Sequence, residues 1–201
     1  MNVSLVGEGP SDIAVLRRLV QHADMVSGIE FITNGKGGLD KRLPGFNNAA
    51  ARAPWIVLRD LDHDALCAPV LTGALLPNPA QLMRLRIAIR TTEAWLMADP
   101  TALRAHFRLG RIAIPEAPDE LAETKITMLR ILARARPTDT AAALVRRKGE
   151  TLSPGPEYTV LLSEFATTSW RPEIAAAKSP SLARAISRLQ QFPADIRRVA
   201  H

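Results

Sequence analysis

Four short apolar runs alternate with amphipathic segments over the first half of this chain. That alternation is the strongest constraint on its fold. The runs are Val3–Val6, Ile29–Thr33, Trp55–Leu58 and Arg86–Ile89. Each is bounded by turn residues and is too short for a helix, so each reads as a buried strand. After the first, Pro10 and Ser11 open a segment reaching His22 in which Ile13, Leu16, Leu19 and Val20 recur at helical spacing. Ser11 or Asp12 can cap it. A second helix is expected over Leu39–Ala51, broken near Pro44 and Gly45, and residues 65–83 read as Pro-rich and loosely helical. A helix over Glu93–Met97, capped by Thr91 or Thr92, should end near Asp99, with Asp99 capping that end. Strands alternating with helices imply a mostly parallel sheet with right-handed crossovers.

Strand signals fade after residue 100. Helices are expected over Ala102–Phe107, Glu120–Arg136, Thr140–Arg147, Glu157–Thr167 and Ser181–Gln191, the last capped by Ser179 or Ser181. The organisation read from the chain is an α/β core over residues 1–100 and a helical lobe over 101–201 packed on it.

Acidic residues follow three of the four runs: Glu8 in "SLVGEGPSD", Asp60, Asp62 and Asp64 in "IVLRDLDHD", and Glu93 in "IAIRTTEAWLMAD". Parallel strands bring such ends to one edge of the sheet, where open α/β sheets bind ligands. Carboxylates converging there repel one another and are most easily tolerated around a hard cation such as Mg²⁺. If the segment after the third run stays extended, Asp60 and Asp62 point to the same side and can share an ion. Each acid also has a simpler reading. Glu8 and Glu93 can face a helix N-terminus, and the aspartates can form a solvated loop.

Several other chemistries lack their signatures. Gly7 and Gly9 are followed by Asp12 where a dinucleotide-binding turn needs a third glycine, and Glu8 would oppose a pyrophosphate. No Walker A sequence and no Gly-x-Ser-x-Gly elbow is present. Ala65 and Leu66 break an EF-hand pattern. His22, His63, His106 and His201 have no zinc spacing. The single Cys67 excludes an internal disulfide, suits a reducing compartment and reads as a small buried hydrophobe. No apolar run approaches the roughly 18 residues of a membrane span. With no secretory leader pattern either, a cytoplasmic protein without a membrane partner is expected.

The net charge is +6, and all of it lies beyond residue 100. An acidic-site half joined to a basic half suits a phosphate-backbone partner, although an Arg-rich helical surface is the plainer alternative. Arg146, Arg147 and Lys148 are the densest basic cluster and the candidates for touching nucleic acid. Lys36, in the "NGKGG" loop, is a further candidate phosphate contact. The cluster at 146–148 can equally end a helix stopped by Gly149.

The ordered set of Glu-Gly after the first strand, Asp-x-Asp after the third and Glu after the fourth resembles the TOPRIM fold of topoisomerases, bacterial primases, small ribonucleases and OLD-type nucleases. "LVGEGPSD" looks like the glutamate motif of that fold and "IVLRDLDHD" like its Asp-x-Asp motif. "AIRTTEAWLMAD", "GKGGLDKRL" and "SPSLARAISRL" resemble motifs of a group of short TOPRIM-like bacterial proteins. The resemblance implies a TOPRIM or Rossmann-like sheet and Mg²⁺- or Mn²⁺-dependent phosphodiester cleavage or phosphotransfer. Asp60, Asp62, Glu8 and Asp64 would be the metal ligands, with Glu8 and Glu93 in catalytic roles. The alternative is a non-catalytic nucleic-acid-binding or regulatory subunit of a phage-defence or toxin-like system, acting as a homo-oligomer or with a partner protein.

Overall fold

The computed structural model describes residues 1–199, so His201 lies outside the described residues. The chain forms an α/β fold built on a four-stranded, all-parallel sheet with helices on both faces. Its first half runs β1 (Asn2–Gly7), α1 (Pro10–His22), β2 (Val26–Ile32), α2 (Lys36–Ala49), β3 (Trp55–Asp60), α3 (Ala68–Leu75), β4 (Met83–Ala88) and α4 (Thr92–Met97). The strand order is β2-β1-β3-β4. The chain therefore leaves β1 toward one edge and returns to the other side of it with β3.

Alternation along the strands assigns the two faces. Val3, Leu5, Ile56 and Leu58 join one buried cluster, while Val6, Trp55 and Val57 join the other. Leu39 and Leu43 of α2 and Leu71 of α3 cover the second face. The helix α2 is continuous through Pro44, so the expected break does not occur.

The second half covers the first face. It comprises α5 (Pro100–His106), α6 (Thr124–Leu132), α7 (Thr138–Leu144), β5 (Val145–Lys148), β6 (Thr151–Pro154), α8 (Tyr158–Thr168), α9 (Pro172–Ala175) and α10 (Pro180–Val199). Phe107, Met128, Leu162, Phe165, Trp170, Leu182 and Phe192 share one buried cluster with Leu5, Leu16, Leu58 and Trp95. The two halves thus build a common core on that face. Ser179 accepts a hydrogen bond from Leu182 N at 3.3 Å and caps α10. The Ser181 hydroxyl instead accepts from Trp95 Nε1 at 2.7 Å. No helix among the described residues is long and apolar enough to cross a membrane.

Three further local expectations differ from the structure. Residues 146–148 do not end a helix. They form a strand of an antiparallel hairpin, with Arg146 opposite Ser153 and Lys148 opposite Thr151. Gly149 sits at φ 61°, where a glycine costs least, and makes the turn. The last carbonyls of α7 are taken up by Gly155 N and Glu157 N at 2.8 and 3.0 Å, which closes the helix before the hairpin. Asp99 caps the start of α5, accepting from Ala102 N at 3.1 Å, and does not cap the end of α4. Cys67 is exposed, because it precedes α3 on the surface.

Candidate active site

Chain order places the carboxyl ends of β1 and β3 side by side where the path of the sheet reverses direction, the position at which open α/β sheets form a crevice. Glu8 follows β1 and Asp60 ends β3. Glu8 Oε1 accepts the Asp60 backbone N–H at 3.1 Å, which ties the two ends together. Asp60 Oδ1 accepts from the Thr92 amide at 2.9 Å and from its hydroxyl at 2.8 Å, at the start of α4. The same hydroxyl lies 3.0 Å from Asp12 Oδ1. Asp12 in turn receives Gly9 N–H on Oδ2 at 2.9 Å, the return arm of a capping arrangement on α1. Gly7 is required here. A Cβ on it would stand 2.8 Å from Asp12 Cβ.

The site is completed from the second half of the chain. The buried Tyr158 hydroxyl donates to Glu93 Oε1 at 3.0 Å, and Lys125 Nζ of α6 lies 3.7 Å from the same oxygen. Glu93 itself is 8% exposed. Three strand ends and two helix starts therefore gather Glu8, Asp12, Asp60 and Glu93 around Thr92.

The electrostatics of this group are those of acids with too little positive charge. Burial pushes the Asp60 carboxyl well above the ordinary value of 3.8, and Asp12, Glu93 and Glu8 push it further. The bonds from Thr92 offset only part of this. Burial also raises Asp12, against the bonds it accepts from Gly9 and Thr92. Glu8 is raised chiefly by burial too, moderated by the Asp60 amide and the Arg59 guanidinium. Tyr158 is held far above 10.0 by burial and by the neighbouring Glu93. Carboxyls displaced upward hold a proton more readily than ordinary ones, the direction a proton-transfer group needs.

The other two aspartates of the motif go elsewhere. The chain does not stay extended after Asp60: Asp62 adopts φ 48°, and its amide bonds Arg90 O at 2.8 Å. Asp62 Oδ2 accepts from Lys36 Nζ at 3.1 Å, and Asp64 Oδ1 from the same nitrogen at 2.8 Å. Asp64 also receives Arg59 at 2.6 Å. Lys36 and Arg59 hold the Asp64 carboxyl below its ordinary value, and bonds to Asp64 and Asp62 raise the Lys36 pKa. Arg59, 2% exposed, also forms two bonds of 3.1 Å to Asp40 and lies 3.7 Å from Glu8. Lys36 is thus engaged by two acids in this structure. Arg146, Arg147 and Lys148 are exposed on the hairpin, whose second strand packs on α6, the helix that carries Lys125.

Of the residues singled out in the sequence, the structure brings together Glu8, Asp60 and Glu93, and it sets Asp62, Asp64 and Lys36 beside them in a separately neutralised group. Asp12, Thr92, Tyr158, Arg59 and Lys125 were not singled out for the site. Two of them carried a signal. Arg59 interrupts an otherwise apolar strand, and Tyr158 is the only tyrosine of the chain. Among the described residues, no three His, Cys, Asp or Glu side chains are gathered closely enough to enclose a metal ion by themselves. Compared with known proteins, the chain matches no family model, no curated protein and no solved structure.

Proposed function

We propose that this protein cleaves or transfers phosphodiester bonds of nucleic acid, using a hard divalent cation, Mg²⁺ or Mn²⁺, bound at Asp60. The observation that carries the reading is the convergence of acids at the switch point: burial raises the Asp60 carboxyl, and Asp12, Glu93 and Glu8 raise it further. An oxygen-only donor set suits a hard cation. Because no three acids close around one point, the fit is to an ion held by one or two carboxylates. Water and substrate oxygens would fill the remaining positions, the common habit of Mg²⁺. The resemblance to TOPRIM proteins supports the same reading.

A cation bound there would polarise the phosphate and stabilise charge on the leaving oxygen. The chain's own residues divide the remaining work. Thr92 fixes Asp60 through two hydrogen bonds. Tyr158 orients Glu93. Glu8, raised by burial yet still within reach of solvent, is the group to hold and release a proton. Asp62 and Asp64 keep Lys36 at the mouth of the site. The exposed basic hairpin offers contacts to phosphates.

The test is incubation of the chain with single- and double-stranded DNA and RNA in Mg²⁺, Mn²⁺ or chelator. Cation-dependent cleavage that Asp60→Asn removes supports the proposal. Salt-sensitive binding with no cleavage under any of these conditions supports instead the regulatory-subunit reading, in which a phage-defence or toxin-like partner supplies the chemistry.

A further inference from the structure

A groove of about 1010 Å³ runs along the outer edge of β4 between α3 and α10. Its walls are apolar where Pro69, Leu85, Ile87 and Ile89 contribute. Its charge is entirely positive. Arg86, Arg184 and Arg188 line it, and no Asp or Glu does.

Arg86 is the unusual member. Its Nε is buried without a hydrogen-bond partner. Burial lowers its pKa to about 10, and the neighbouring charges that add to this are Arg84 and Arg188. Two residues earlier on the same strand face, Arg84 shows how this protein normally settles a guanidinium. It bonds Asp195 at 2.6 Å and stacks over Phe192 at 4.1 Å. Arg86 has no such partner among the described residues. Arg184 and Arg188 lie one turn apart on the exposed face of α10, a like-charge spacing that costs helix stability. Among the described residues, Arg188 reaches only the neutral amide of Gln191, at 3.3 Å. Leaving a buried donor unmade is costly, so three convergent guanidiniums without a carboxylate call for an anion from outside the chain.

We propose that this groove binds a nucleoside phosphate, with its phosphates on Arg86, Arg184 and Arg188 and its base against the apolar wall of Leu85, Ile87 and Pro69. The volume is that of a small-molecule site, and apolar walls with a few polar anchors are the usual construction of one. None of Glu8, Asp12, Asp60 and Glu93 lines the groove.

The exposed Cys67, the only cysteine of the chain, lines the groove and reports on it. The full chain is titrated calorimetrically with ATP, adenosine, pyrophosphate and a short oligothymidylate, and maleimide labelling of Cys67 is timed with and without ATP. Expected are ATP binding, no adenosine binding, weaker pyrophosphate binding and slower labelling in ATP. Arg184→Ala and Arg188→Ala, both at exposed positions, should each weaken ATP by about tenfold or more, the scale of a charge-assisted hydrogen bond. Arg86→Met should abolish ATP binding while holding or raising Tm, because it removes an unpaired buried group. ATP affinity unchanged in the double variant carrying both Arg184→Ala and Arg188→Ala overturns the proposal. So does oligothymidylate binding with the same arginine dependence in the absence of ATP binding, which would make the groove a nucleic-acid track. Loss of cleavage in Asp60→Asn with ATP binding intact keeps the two sites distinct.

Discussion

Asp60 is half-buried at the end of β3 and Asp99 is fully buried before α5; desolvation acts most strongly on both carboxyls, yet the protein treats them in opposite ways. Asp99 is 0% exposed and takes Arg171 in a fork, at 2.7 and 2.8 Å, besides the Ala102 amide. Burial alone would raise its carboxyl, but the bonds from Arg171 and Ala102 reverse the sign and hold it below 3.8. Asp60 accepts two short hydrogen bonds, but both come from the neutral Thr92, and the charged groups that shift its carboxyl are acids. Burial therefore does not distinguish a structural acid from a functional one. The charge of the partners does. Asp99 is complete within the fold, and Asp60 is left with charge that only a proton or a cation can balance.

The largest expected effect separates the chemistry of the two. Glu8→Gln keeps an acceptor for the Asp60 amide but cannot exchange a proton, so cleavage should fall by about 10²–10⁴-fold, while an Arg171→Ala chain should cleave normally at temperatures where it is folded. Gel assays of labelled oligonucleotide measure both. Next comes stability. Asp99→Ala removes the cap of α5 and the carboxylate held by the partly exposed Arg171; loss of the cap alone should cost about 1 kcal/mol, read as a lower urea midpoint. Asp60→Asn removes one of several repelling acids, so its midpoint should hold or rise. Equal losses would erase the contrast.

The smallest effect is in pH dependence. The folded pKa of Asp60 lies above 3.8, so the folded state keeps a proton that the unfolded chain releases. In that window stability falls as pH rises, because the folded state binds more protons. Below 3.8 both states are protonated and the difference vanishes. Asp99 has the opposite sign: its contribution is present above 3.8 and is lost as pH falls through its lower folded pKa. Thermal melts between about pH 3 and pH 8 should show a decline with rising pH in the wild type that Asp60→Asn flattens. A decline of the same size in the variant would place the titrating group elsewhere.

Much of this arrangement was legible in the chain. The period of the apolar runs located all four parallel strands, and acids at their ends located Glu8, Asp60 and Glu93 at one edge. Two things were not legible. The first is the direction of the chain after Asp60. A left-handed residue at Asp62 is chosen by the backbone bond to Arg90, a contact between segments far apart in sequence. The second is long-range pairing. Asp12 reads as a cap and Tyr158 as a helix start, and only packing of α8 and of α4 on α1 brings them to Glu93 and Asp60. The hairpin at 145–154 was hidden for a related reason. Its residues carry no apolar run, and its pairing is local and polar on the outer face.

Calorimetric titration of Mn²⁺ into the wild type, Asp60→Asn and the double variant Asp62→Asn with Asp64→Asn tests the central claim most directly. Asp60 is without a cationic partner, whereas Asp62 and Asp64 are already bonded to Lys36. The account predicts that the wild type binds Mn²⁺, that Asp60→Asn abolishes binding, and that the double variant retains it within a few-fold. Mn²⁺ binding that survives Asp60→Asn but is lost in the double variant would contradict it.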